Sequence, residues 1–185
     1  KSVPVQCLPG LTTDGAGFAG GAILGFDMSP QDPEFMMVAD LNTLALMPWM
    51  PGYACIRGVG MVGDQPCEMD PRNVLLKQAE RLSKRGLRLM TGLEPEFYLL
   101  KQDDDGHISP FDSTDTLERP TYDYRGLTRN AGFIEGLYGA LTKVGLEVYQ
   151  IDHEDANGQF EINFKYDEAV KSADNMQFFK MAAKE

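Results

Sequence analysis

Residues 152–163 read Asp-His-Glu-Asp-Ala-Asn-Gly-Gln-Phe-Glu-Ile-Asn, a segment that gathers carboxylate and amide side chains around an Asn-Gly pair. Asn157-Gly158 predicts a two-residue type I′ hairpin turn, which needs φ > 0 at both central positions. Such a turn sets Ala156 opposite Gln159, Asp155 opposite Phe160 and Glu154 opposite Glu161. Asp152 then faces Asn163 on the same side as the two glutamates, because side chains alternate along a strand. Carboxylates directly opposite on a ladder repel. A divalent cation between them is the usual remedy; the alternative is a solvated acidic hairpin.

A second acidic pair lies in Gly92-Leu93-Glu94-Pro95-Glu96-Phe97-Tyr98-Leu99-Leu100. Read as a strand, it puts Leu93, Phe97 and Leu99 on one face and Glu94 and Glu96 on the other, about 7 Å apart at ~3.3 Å per residue. Pro95 lacks an N–H and marks an edge, a bulge or an open ladder. Here too the alternative is a solvated strand face. Four carboxylate donors with no thiolate set favour a hard cation, Mg²⁺ or Mn²⁺, over zinc or copper. Such ions typically hold nucleotide phosphates for phosphoryl transfer.

The elements that must position these groups read as α+β. Up to residue 66 short apolar runs alternate with Gly and Pro. Ala22–Phe26 is expected as a short strand, and Leu41–Trp49 and Tyr53–Val62 as strands joined by Met50-Pro51-Gly52. Asp70 then caps a helix that opens on Pro71 and stops at Gly86. Leu87–Lys101 is strand-like. A helix is expected from about Gly126 to Val144, with Leu127, Ile134, Leu137, Leu141 and Val144 inward and Gly145 as its stop. Asp167 is placed as the cap of a last helix. The 185 residues are 43% apolar and 10% aromatic, enough for one or two cores. A net charge of −11 argues against nucleic acid or an anionic membrane as partner. No apolar run is long enough to span a bilayer. Three scattered cysteines without a CxxC point to a reducing, cytoplasmic setting.

The two acidic motifs together resemble those of the glutamine synthetase family. There a strand with G-x-E-x-E-F is followed by E-x-x-x-x-Q-x-E, and the corresponding metal ligands here are Glu94, Glu96, Glu154 and Glu161. Asp70-Pro71-Arg72, Ala173-Asp174-Asn175, Phe179-Lys180 and Pro48-Trp49 are similar to further family positions. The wording around His153, with Ile151 in place of an Asn, looks most like a type III-labelled bacterial branch that includes glutamate–methylamine ligases.

The resemblance implies a β-grasp-like N-terminal domain over 1–68, incomplete at its start. It is followed over 69–185 by the beginning of a catalytic α/β domain. It implies ATP-dependent activation of the glutamate γ-carboxylate as an acyl phosphate, then attack by ammonia to give glutamine. The alternatives are methylamine or another amine as attacking group, and a non-catalytic structural relative. Glu96, Glu154 and Glu161 would hold one cation and Glu94 another beside the ATP phosphates. Phe164 and Tyr166 are implied near the nucleotide, although both would serve equally as core residues. Asp14 aligns with an ammonium-binding Asp in a D-G-S-S loop, acting from a neighbouring subunit of a homo-oligomeric ring. Ala16 and Gly17 replace the serines, which is expected to open room for a larger amine; an ordinary Asp-Gly turn is the alternative. His153 is expected to orient rather than ligate, and His107 to be solvated. The resemblance also implies a fragment, with further ligands beyond residue 185.

Overall fold

The computed structural model describes residues 1–185 and has the mixed helix-and-sheet architecture expected. The chain forms two compact units: Lys1–Leu89 with Glu168–Val170, and Met90–Asp167 with Lys171–Glu185. No helix is long and apolar enough to cross a membrane.

In the first unit, α1 (Leu8–Thr13) leads into β1 (Ala16–Phe18), β2 (Phe35–Leu46), β3 (Ala54–Val62) and the short β4 (Gln65–Pro66). They make an antiparallel sheet in the order β1-β2-β3-β4. β2 and β3 lie in the expected hairpin, with Gly52 at φ +84° in its turn, but β2 begins earlier than the sequence suggests. Phe35 is its buried anchor, packed edge-on against Phe18 and Phe26. The strand expected at Ala22–Phe26 is absent. Residues 20–22 form a 3₁₀ turn, Gly25 takes φ +88°, and Leu24 is fully exposed, so the run has no neighbour to pair with.

Helix α2 (Pro71–Ser83) closes the unit and begins as expected. The Asp70 side chain accepts from Arg72 N–H at 3.0 Å and from Gly60 N–H at 2.7 Å, so one carboxylate caps the helix and ties it to β3. Gly86 supplies the stop at φ +73°.

The second unit holds the acidic motifs. Its strands are β5 (Met90–Leu93), β6 (Glu96–Tyr98), β7 (Leu100–Gln102), β8 (Ile108–Pro110), β9 (Val148–His153) and β10 (Gln159–Glu168). β10 is central, pairing with β5 and β6 and also with β9. Pro95 breaks the expected 87–101 strand between β5 and β6 and leaves its carbonyl to accept from Ile162 N–H at 3.2 Å.

The single helix expected over 126–144 is two, α3 (Tyr124–Arg129) and α4 (Ala131–Lys143), capped by Asp123 and parted at Asn130. The buried Asn130 amide donates to Gly126 O at 2.9 Å, a side-chain bond that competes with helix continuation. The last helix, α5 (Ala169–Ala182), follows β10, which runs on through Asp167.

Phe160, Ile162 and Phe164 on β10, Leu137 and Leu141 on α4, and Phe178 and Phe179 on α5 are all buried. Phe97 packs against Phe133, Phe160 and Phe179. Each such side chain stabilises the unit by roughly 1.5–3 kcal/mol, which makes β10 a rigid base for the carboxylates it carries.

Candidate metal centre

Glu161 stands on β10 directly opposite Glu96 of β6 on one side and Asp152 of β9 on the other. The expected register is therefore corrected: Asp152, not Glu154, is the β9 partner of Glu161, and Phe160 pairs with His153. The type I′ turn does not form, since Gly158 has φ +75° while Asn157 has negative φ. Gln159 N–H instead bonds Ala156 O at 2.9 Å, and Glu154 N–H bonds Gln159 O at 2.8 Å. Local Asn-Gly preference loses here to tertiary hydrogen bonds from Asn157 and Gly158 to Asp115. The slip is by two residues, and only an odd slip moves side chains to the other face of a sheet. Asp152 thus shares the face of Glu161, and Glu154, in the loop just past β9, also lies beside it.

The carboxylate oxygens of Glu96, Glu154 and Glu161 lie within 4.8 Å of one another. Oxygens trans across a hard divalent ion stand roughly 4–5 Å apart, so this donor set fits such a cation with little movement. The electrostatics agree. Loss of water and a hydrogen bond shared with Glu154 push the Glu161 carboxyl up to about 7, helped by the charges of Glu154 and Glu94 and opposed by a hydrogen bond with Asn163. A proton there does for the carboxylates what a cation would do more completely.

Two amides hold the arrangement and were missed as functional residues in the sequence. Gln159 donates to Glu96 Oε2 at 2.5 Å and accepts from Ala156 N–H at 3.0 Å, so one side chain fixes both a carboxylate and the turn. Asn163 hydrogen-bonds Glu161 itself. The signal was present for Gln159 as the Gln of the second motif; Asn163 offered only its place two residues after Glu161.

Glu94 lies outside the triad. It lines a separate cavity of about 350 Å³ with Gly92, Leu93, Tyr149, Phe164, Lys165 and Tyr166. A bulge in the β9–β10 ladder between Asn163 and Phe164 adjoins that cavity. Phe164 is buried and Tyr166 is exposed, so within the cavity wall Tyr166 offers the more accessible ring.

Asp14 is in the first unit, exposed at the C-terminus of α1, where its N–H bonds Gly10 O and Gly15 follows at φ +81°. The room expected at Gly17 is not empty. A Cβ there would overlap the Glu34 carboxylate, so that side chain occupies the space a serine would take. His153 is fully buried and bonded on both ring nitrogens, whereas His107 is exposed beside Asp103.

Glu96 and Glu161 on paired strands, with Glu154 in the loop that follows β9, form an oxygen-donor set of the kind that suits a hard cation. A family model described as glutamine synthetase, catalytic domain, matches residues 68–185. The chain is 51% identical over 186 residues to the glutamate–methylamine ligase of Methyloversatilis universalis, covering 100% of this chain and 42% of that protein. It is 39% identical over 184 residues to the glutamine synthetase of Rhizobium leguminosarum bv. phaseoli, covering 100% and 41%. A solved GmaS/ADP complex matches with a TM-score of 0.92 at 35% identity, covering 100% of this chain and 42% of that one. The chain therefore belongs to the glutamine synthetase family. It spans about two fifths of the length of these relatives, 42% in the case of the methylamine ligase.

Proposed function

We propose that this chain supplies part of the cation and nucleotide site of an ATP-dependent ligase that makes a γ-glutamyl amide, with methylamine as the favoured nitrogen donor. The observation that carries the reading is the convergence of Glu96, Glu154 and Glu161 within 4.8 Å. The choice of amine rests on 51% identity to a methylamine ligase against 39% to a glutamine synthetase. This reverses the order expected from the sequence, where ammonia came first.

In this reading, residues 1–68 and 69–185 belong to two successive domains. Glu96, Glu154 and Glu161 hold one hard divalent cation, Mg²⁺ or Mn²⁺, and Glu94 helps hold another facing the ATP phosphates. When bound, these ions neutralise charge on the transferring phosphoryl group. The protein's own task is positioning. β10 and β6 fix the carboxylates on a sheet whose opposite face is core, which keeps phosphate and γ-carboxylate in line for transfer. Phe164 and Tyr166 border the cavity beside Glu94, a suitable wall for an adenine ring. The leaving proton of the amine passes to a carboxylate; Asp14 of an adjacent subunit in a homo-oligomer is the assigned acceptor. Glu34, seated against Gly17, adds a second carboxylate to that loop and favours a cationic ammonium form nearby.

On the full-length protein, kcat/KM for methylamine is expected to exceed that for ammonia by ~10-fold or more, since a fitted methyl contributes roughly 1–3 kcal/mol. A preference for ammonia would return the assignment to glutamine synthetase. Turnover of neither amine, with no Mn²⁺ bound, would identify a non-catalytic relative.

Gln159→Leu provides a separate check on the site. It should lower Mn²⁺ affinity by ~10-fold, the lower end of effects seen when a ligand loses its orienting partner. The change frees Glu96 and the Ala156 N–H of the turn without removing any ligand. Calorimetric titration with Mn²⁺ measures it, and unchanged affinity would show that Glu96 is held without Gln159.

A further inference from the structure

We propose that Asp115 is the positioning residue of the carboxylate site, holding from beneath the 153–158 loop that presents Glu154 to Glu96 and Glu161. The inference rests on those three glutamates being the metal centre. Neither acidic motif includes Asp115, which lies 38 residues before His153 in a polar loop.

Its carboxylate is fully removed from solvent, as is the imidazole of His153. One oxygen meets His153 Nε2 at 2.8 Å and accepts from Gly158 N–H at 2.5 Å; the other accepts from the Asn157 amide at 3.2 Å. The second imidazole nitrogen, Nδ1, sits 2.8 Å from the backbone carbonyl of Glu154. A continuous hydrogen-bonded chain therefore runs from Asp115 through His153 to the peptide of a cation-site glutamate. Burial works to raise the Asp115 carboxyl, but the Gly158 and His153 bonds outweigh it and hold it below the usual carboxylate value.

The surroundings fit a clamp. Gly126 of α3 is buried against His153, and a Cβ there would overlap the imidazole, so only glycine leaves the ring its seat. Tyr122 adopts φ +65°, a left-handed conformation unfavourable for an aromatic residue, and its N–H bonds His153 O at 2.9 Å. Thr121 Oγ1 donates to Asp155 Oδ1 at 3.0 Å. The loop carrying Asp115 is itself fixed: Asp112 receives Arg129 and Thr114, and its carbonyl accepts Asp115 N–H at 3.2 Å. The loop's departure from a type I′ turn has the same cause, because the clamp takes the Asn157 and Gly158 donors.

The test compares wild type, Asp115→Asn and Asn157→Ala in the full-length protein. Hydrogen exchange of the 153–160 segment is followed without metal, and Mn²⁺ binding is followed by electron paramagnetic resonance. An amide at 115 can accept on one atom only, so Asp115→Asn should speed loop exchange ~10-fold and weaken Mn²⁺ by ~10- to 100-fold, the range for lost orienting groups. Asn157→Ala keeps Asp115 and His153 and loses the amide's two ties, to Asp115 Oδ1 and to Leu117 O, at a half-buried position; ~3-fold weaker Mn²⁺ is expected.

A lower melting temperature for Asp115→Asn with unchanged Mn²⁺ affinity of the folded protein would mean a purely structural role and overturn the proposal. If Asp115→Asn does not fold, unchanged affinity and exchange in Asn157→Ala overturn it instead. A wild type that binds no Mn²⁺ defeats the metal reading; loop exchange then still decides whether Asp115 clamps the loop.

Discussion

Glu161→Gln in the full-length protein is expected to abolish most ligase activity, lowering kcat/KM by ~10³-fold or more, while leaving the metal-free fold at least as stable as wild type at pH 8. The two halves of this result have one cause. Glu161 faces Glu96 across one ladder and Asp152 across the other, and it shares a hydrogen bond with Glu154. Without a cation, an ionised Glu161 is repelled from both sides, and like charges directly opposite are destabilising by up to ~1 kcal/mol per pair. An amide of the same shape removes that repulsion and keeps the packing. In the proposed reaction, with a cation and ATP bound, the same change would remove a central ligand and with it much of the stabilisation of the transferring phosphoryl group, which is worth several kcal/mol. Steady-state kinetics and thermal melting in the presence of a chelator measure the two halves. Activity within a few-fold of wild type would remove Glu161 from the site. Stability clearly lower at pH 8 would mean that this carboxylate is structural.

The sequence revealed the face of the sheet more surely than its register. Glu154 and Glu161 come together although the expected pairing is wrong: Asp152 takes the ladder position opposite Glu161, and the loop after β9 brings Glu154 to the same site. What moved the register was Asp115, 43 residues from Gly158, and no local pattern encodes a hydrogen bond over that separation. The Asp70-Pro71 start and Gly86 stop of α2 were readable because a cap and a left-handed stop are local chemistry. The break at Asn130 was not, since apolar periodicity runs through it from Leu127 to Ile134 and the interrupting bond comes from one side chain. Ala22–Phe26 failed in the opposite way: strand-forming residues were present, but a strand needs a partner, and Gly25 turns the chain away. Gln159 was visible in the motif, while its grip on Glu96 depends on β6 and β10 being neighbours.

Stability should also depend on pH, in a way that bound metal cancels. Glu161 titrates at about 7 in the folded protein against an ordinary 4.5, so between those values the metal-free folded state binds a proton that the unfolded chain has released. Stability from this group is therefore fully present below pH 4.5 and is lost as pH rises through 7. The whole shift corresponds to about 3 kcal/mol at ~1.4 kcal/mol per pKa unit, and water reaching this partly exposed carboxylate reduces it to roughly 1–2 kcal/mol. Subtracting the Glu161→Gln profile from that of wild type isolates the contribution from other titrating groups. A cation must displace the same proton. Its apparent affinity should rise by up to ~10-fold per pH unit below 7 and level off above. Mn²⁺ at ~100 times the dissociation constant it has above pH 7 adds about 2.7 kcal/mol there, and because the loaded site holds no proton to lose, melting of the loaded protein should stay nearly level across the interval in which the metal-free protein falls. Denaturation in the full-length protein at pH 5.5, 6.5, 7.5 and 8.5, with Mn²⁺ or chelator, gives the four curves needed. Parallel wild-type and Glu161→Gln profiles without metal would show that Glu161 carries no such proton. A Mn²⁺ affinity flat from pH 5.5 to 8.5 would place the cation on other residues.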